Sequence, residues 1–215
     1  MKIKSENVLK AVNQQGSSLL RNAEYNPSET TRRSPTLREF EAYLLGAAHD
    51  GTCNSFHATF RFSQKSKQWL VLLKKLLDAL GYKAWIYKEG KNRTVYVMET
   101  TAKFLRTKKT VRFTSKLEII AYARGYFDSE GGVPHNQRAS FYIQLCQKDR
   151  KDLSDLRDML TSLGIVCGIL HNPSKRVDPD YWRFYILRKS HQSFIFKIGS
   201  WHPMKAKILK KRTVI

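Results

Sequence analysis

An internal repeat constrains this chain more than any other feature. Residues 62–86, FSQKSKQWLVLLKKLLDALGYKAWI, and 145–169, LCQKDRKDLSDLRDMLTSLGIVCGI, align without a gap at a constant offset. The alignment pairs Gln64 with Gln147, Lys65 with Lys148, Leu80 with Leu163, Gly81 with Gly164 and Ile86 with Ile169. Self-similarity at a fixed offset marks a duplicated unit, so the chain is expected to fold as two related halves. Each copy reads as a strand end, a helix with apolar residues at 3.6 spacing, a Leu-Gly C-cap and another strand.

The likeness extends outwards in kind. HATFRF and ASFYIQL alternate as half-buried strands. Before each lies a helix with a capping box, Thr36 to Glu39 and Ser115 to Glu118. RTVYVM and YWRFYIL supply a later strand, and AKFL and QSFIFKIG a closing helix. Ser66 and Asp149 are the expected N-caps of the repeated helices. The fold class expected is α+β, a tandem αββαββα duplication. The extension 1–34 carries one short helical pattern, ENVLKAV, and linker-like sequence, and is followed by halves 35–112 and 113–215.

Charge narrows the function. Thirty-nine Lys and Arg against 18 Asp and Glu leave a formal charge of +21, a self-repulsion that a polyanion relieves. Nucleic acid is the expected partner. The basic residues run along the whole chain instead of one amphipathic segment, and no apolar run approaches roughly 18 residues, so a membrane role is not expected. Cys53, Cys146 and Cys167 are odd in number and too scattered for a zinc clasp or disulfide framework. With no signal-peptide core at the start, an intracellular protein, not secreted, is expected.

The acids in such a chain stand out. Ala121, Gly125 and Ser129 form a small-residue stripe at a spacing of four, as do Ala42 and Gly46. Two helices packed along these stripes would bring Asp50 and Glu130 together at their C-terminal ends. Carboxylates there face the negative end of the helix dipole and each other, an arrangement that a divalent cation relieves. Carboxylate oxygens suit Mg²⁺, which completes its shell with water and phosphate oxygens. Metal-assisted phosphodiester hydrolysis follows.

ARGYFDSEG, residues 123–131, resembles the LAGLIDADG motif of homing endonucleases, and the chain over residues 36–210 resembles the single-chain members with two motifs. That resemblance implies motif helices packed at a pseudo-twofold interface, and two four-stranded antiparallel sheets forming a saddle over double-stranded DNA. It implies metal binding by Asp50 and Glu130 with the glycines after them, Gly51 and Gly131, and a water network held by Gln64 and Gln147. A lysine is implied beside each site: Lys205 in the second half, Lys108 or Lys109 in the first. Mn²⁺ would substitute for Mg²⁺, and Ca²⁺ would bind without efficient cleavage. The first motif departs from the pattern, having one residue fewer between Gly46 and Asp50 than between Gly125 and Glu130. His49 is expected to make a structural polar contact, and Asp128 to serve the helix end.

Strand alternation turns Thr59, Arg61 and Ser63 outward in the first half, and Tyr142, Gln144 and Cys146, with Arg183 and Tyr185, in the second. Arg61 and Gln144 have the forks suited to guanine and adenine edges. The two sets differ, so an asymmetric target is expected. The leading expectation is a monomeric endonuclease of double-stranded DNA. An RNA maturase acting on its own intron RNA and a non-cleaving DNA-binding protein of the same fold are the alternatives.

Overall fold

The computed structural model describes residues 33–90, 93–107, 112–136 and 138–213. The helical pattern expected at residues 6–12 lies outside them.

Helix α1, Leu37–Ala47, starts at the expected box, with Thr36 Oγ1 accepting from the Glu39 N–H at 3.3 Å. A 3₁₀ turn, Ala48–Asp50, extends it. Strands β1, Gly51–Asn54, and β2, Thr59–Gln64, then lead to α2, Lys67–Ala79, followed by β3, Ala84–Lys88, and β4, Tyr96–Thr100. They form an antiparallel sheet in the order β1-β2-β4-β3. In the second half α3, Lys116–Glu130, leads to β5, Gly131–Gly132, β6, Gln144–Gln147, α4, Arg150–Ser162, and β7, Trp182–Tyr185. Helices α5, His191–Lys197, and α6, Pro203–Thr213, close the chain. No helix among the described residues is long and apolar enough to cross a membrane.

The repeated helices end as their sequence dictates. Gly81 and Gly164 take the left-handed φ of +80° and +77° that a side chain would resist. There the N–H of Tyr82 bonds back to Leu77 O at 2.9 Å, and that of Ile165 to Leu160 O at 3.0 Å. Asp149 caps α4 through the N–H groups of Lys151 and Asp152, whereas Ser66 holds the cap position of α2 without a side-chain bond. The apolar stripes Trp69, Leu70, Leu73 and Leu77 on α2 and Leu153, Leu156 and Leu160 on α4 are buried.

Three elements differ from expectation. The strand read at ASFYIQL begins only at Gln144, so Tyr142 precedes β6 instead of lying in it. The first half closes with a 3₁₀ turn, Lys103–Arg106, because AKFL is too short to propagate a helix. The second sheet has three strands, β5-β6-β7, instead of four. Its fourth place is taken by residues 166–171, held to β7 by the bridge His171–Arg183 and to the residue after β7 by Cys167–Ile186. Gly168 lies between those bridges, its N–H donating to Tyr185 O at 2.7 Å, and glycine weakens a strand interior.

Helices α1 and α3 pack along the expected stripes. A Cβ on Gly46 would run into the Tyr122 carbonyl oxygen and lie 2.7 Å from the Tyr126 nitrogen. A Cβ on Gly125 would run into the Tyr43 carbonyl oxygen and lie 2.9 Å from the Ala47 nitrogen. The contact is reciprocal: each glycine rests on the carbonyl three residues before the other. Ser129 adds a hydroxyl bond to Gly46 O at 3.3 Å. Gly46→Ala gains about 1 kcal/mol of helix propensity but forces two backbones apart, an overpacking of about 1–3 kcal/mol. The expected outcome is a melting temperature lowered by several degrees, with Gly125→Ala alike and the double variant worse, measured by thermal unfolding.

Candidate functional site

The missing residue of the first motif has a geometric resolution. From Gly125 to Glu130 the chain climbs five α-helical steps of about 1.5 Å, about 7.5 Å in all. From Gly46 to Asp50 it climbs one such step and three 3₁₀ steps of about 2.0 Å, again about 7.5 Å. The 3₁₀ turn therefore restores the level of the acid, and both carboxylates stand at the same end of the α1–α3 pair.

They are close enough to feel each other. Glu130 is pushed up to about 7, first by burial and then by the negative charge of Asp50, against Lys205 and a bond from Gln147. Asp50 is open to solvent at the helix end, yet the mass of protein around it raises its carboxyl above the usual range, against a bond from Gln64 and the charge of Lys205. The Gln64 amide donates directly to Asp50 Oδ2. Gln147 also uses its Oε1 to accept the Lys148 N–H at 2.7 Å. Gly51 and Gly131 admit close neighbours, since a Cβ on either would run into the Phe60 ring or the Phe127 ring.

Lys205 comes from α6 and is brought to both acids. Its Nζ donates to Phe127 O at 2.7 Å and Asp128 O at 2.8 Å, and lies 5.3 Å from the Phe127 ring centre. Burial pulls its pKa down while Asp128, Glu130 and Asp50 hold it up. This cation thus answers two terminal carbonyls of α3, where the dipole is negative. Lys108 and Lys109 lie outside the described residues.

Asp128, two residues before Glu130, turns the other way. It is 2% exposed and accepts from the Tyr43 hydroxyl at 2.6 Å, the Trp201 N–H at 2.8 Å, the His202 N–H at 3.1 Å and the Ser200 hydroxyl. Trp69 Nε1 donates in turn to the Tyr43 oxygen at 2.9 Å. The network ties α1, α2 and the approach to α6 onto α3. His49 pairs with the Tyr122 hydroxyl at 2.8 Å and packs 4.2 Å from the Tyr126 ring, and burial pulls it down to about 4, a neutral imidazole at the helix interface.

The outward strand residues divide. Arg61 and Ser63 reach the open face of the first sheet, while Thr59 is 3% exposed and gives its hydroxyl to Glu99 at 2.8 Å, so it is not available for reading. In the second sheet Arg183 Nε donates to His171 Nε2 at 3.2 Å and the guanidinium lies 5.2 Å from the Tyr185 ring, which faces Tyr142 at 6.0 Å. Gln144 lies over Gly132, and Cys146 is drawn to the site, its Sγ donating to Glu130 O at 3.1 Å. The buried Glu99 was not singled out by the sequence, in which a strand glutamate reads as solvent-facing.

A divalent cation fits this donor set. Two carboxylates stand together, the charge of Asp50 raising Glu130, and the lysine in reach is already bonded to helix carbonyls. Among the described residues no cluster of three or more His, Cys, Asp and Glu is placed to cage a metal. Two carboxylates suit an ion that keeps waters and takes phosphate oxygens, as Mg²⁺ does.

Comparison with known proteins agrees with this geometry. Residues 117–199 match the LAGLIDADG-like domain family. The search of curated proteins gives no match. Among solved structures, I-DmoI in complex with DNA and Mn is 20% identical, with a TM-score of 0.58 over 76% of this chain and 98% of that one. I-DmoI in complex with DNA and Ca is 19% identical, with a TM-score of 0.62 over 82% and 100%. The N-terminal LAGLIDADG domain of DUF199/WhiA is 18% identical, with a TM-score of 0.60 over 77% and 83%. At these identities the likeness establishes the fold, and the chemistry has to be argued from the residues.

The raised Glu130 has a consequence for stability. Its folded pKa lies above its unfolded value, so the native state holds the proton more tightly and this group's contribution is lost as pH rises from about 4.5 through about 7. Glu130→Gln should therefore raise the melting temperature at pH 8 in EDTA by about 2–4 °C, corresponding to about 1 kcal/mol, and change it little at pH 4. Thermal scans of both proteins at the two pH values check this.

Proposed function

We propose that this LAGLIDADG protein is a site-specific endonuclease of double-stranded DNA, working as a single chain with divalent ions. The observation that carries the reading is the convergence of Asp50 and Glu130, one from each half, at adjoining helix ends of a chain with a charge of +21. I-DmoI, a homing endonuclease of the same fold, has been solved with DNA and with Mn or Ca, which supports both partners.

Asp50 and Glu130 would hold the ions, with the Gly51 and Gly131 backbones beside them. When bound, Mg²⁺, or Mn²⁺ in its place, supplies an activated water and stabilises the leaving oxygen, whereas Ca²⁺ occupies such a site without supporting efficient cutting. Gln64 fixes the Asp50 carboxylate by the hydrogen bond its side-chain amide donates, and Gln147 stands in the same relation to Glu130. Lys205 presents a cation beside both acids, where charge develops on phosphate. The duplex would lie across the outer faces of the two sheets, with Arg61, Ser63, Tyr142, Gln144, Arg183 and Tyr185 towards its grooves. Because the two faces carry different residues, the target is asymmetric.

Incubating the protein and Mg²⁺ with a pool of duplexes carrying a long randomised segment, then sequencing the ends produced, tests the proposal. The expected result is one asymmetric motif with a staggered cut. Asp50→Asn and Glu130→Gln should each lower cleavage at least about 100-fold while retaining binding, whose affinity comes from many phosphate contacts. Full cutting by both variants would overturn the assignment.

A further inference from the structure

The first sheet carries a buried carboxylate on the face that the proposed reading turns towards a polyanion. Glu99 sits on β4 opposite Arg61 of β2 and Trp85 of β3, so the three side chains share one face. It is 7% exposed. Burial alone would push its carboxyl up, but the Tyr87 and Thr59 hydroxyls, at 2.7 and 2.8 Å, and the Arg61 charge outweigh it and hold the pKa below the ordinary value. The carboxylate is therefore ionised and fully partnered.

Arg61 is the group this arrangement acts on. Its Nε lies 3.4 Å from Glu99 Oε1 and its Nη2 lies 3.4 Å from Glu89 Oε1. Both ion pairs use the edge made by Nε and Nη2; Nη1 takes part in neither, and 29% of the side chain is open to solvent. Two physical consequences follow. A guanidinium flanked by two carboxylates is a poor phosphate clamp, because its charge is already answered. Nη2 makes a hydrogen bond to Glu89 while Nε meets Glu99 as an ion pair without one, so the two contacts restrain the plane, which suits a bidentate contact to paired acceptors. The second half differs: the His171 ring nitrogen and the Tyr185 ring hold Arg183, and no carboxylate is bonded to it among the described residues.

We propose that Glu99 is a positioning residue that sets base specificity in the first half: it holds Arg61 for a pair of base-edge acceptors such as guanine presents in the major groove, and denies that patch to phosphate. This rests on the DNA-cleaving reading above, in which the outer face of the first sheet meets the duplex.

The test is selection of bound sequences from a randomised duplex pool in EDTA, so that nothing is cut, for the wild type, Arg61→Ala, Glu99→Gln and the double variant. Arg61→Ala should lower discrimination at a few base pairs roughly 5- to 150-fold. Glu99→Gln should relax the same base pairs at least about 5-fold, and the double variant should be no worse than Arg61→Ala. On random duplex, Glu99→Gln should bind at least as tightly as the wild type, with a salt slope steeper by up to about 1, because the freed guanidinium can then take a phosphate. A purely structural role for Glu99 would instead lower the melting temperature and weaken all sequences alike. A Glu99→Gln profile that matches the wild type, or that relaxes other base pairs, overturns the proposal. If Glu99→Gln does not fold, Tyr87→Phe, which removes one donor to the carboxylate, is judged by the same criterion. A wild type that selects no duplex motif overturns the DNA reading itself, a result distinguishable from either of these.

Discussion

Every later feature of this molecule depends on two helix backbones coming into direct contact. Gly46 against the Tyr122 carbonyl and Gly125 against the Tyr43 carbonyl leave no room for a side chain at either crossing point. That contact sets the spacing of the two halves, since α1 belongs to one and α3 to the other. It also fixes where the chain emerges from each helix, and the emerging residues are the acids. A packing constraint in the interior thereby decides a separation at the surface.

Bringing two carboxylates to two helix C-termini is electrostatically unfavourable, and the surrounding residues respond to this. Lys205 bonds two carbonyls in the last turn of α3, answering the dipole while making no ion pair with either acid. Gln64 orients Asp50 with a neutral donor that adds no charge of its own. Asp128 shows the contrast within one helix end. It is almost fully buried, yet two backbone N–H groups and two hydroxyls satisfy it, so it acts as a staple between halves. Burial raises both carboxyls, Asp128 against its four donors and Lys205, Glu130 against Lys205 and Gln147 with the charge of Asp50 added to the burial. Acids two residues apart thus differ in what surrounds them: one is bonded into the protein by four donors, and the other stands beside a second carboxylate.

Much of this was legible in the sequence because it is local or repeated. The capping boxes at Thr36 and Ser115 and the left-handed glycines Gly81 and Gly164 are short-range devices whose residues identify them. The convergence of Asp50 and Glu130 was legible through the small-residue stripes. What escaped was long-range. Asp128 meets Trp201 and Tyr43 across more than seventy residues of chain, and although the family resemblance pointed to Lys205, its bond to Phe127 O at a similar remove was not readable. Thr59 was misjudged for the same reason: alternation placed it on the outer face, but its burial depends on Glu99, forty residues on. The fourth strand of the second sheet was overread because sequence periodicity does not report whether a partner strand offers a continuous ladder.

The differences between the halves are confined to particular places. Their shared parts, the glycine contact and the capped repeated helices, belong to the core, where one side's shape constrains the other's. They diverge where that mutual constraint ends. α1 finishes in a 3₁₀ turn where α3 continues as α-helix, yet the axial rise to the acid comes out the same. One outward arginine leans on carboxylates and the other on a histidine and a tyrosine ring. Packing alone accounts for this division: side chains locked between the two halves constrain each other, whereas those on the outer faces of the sheets are free to differ.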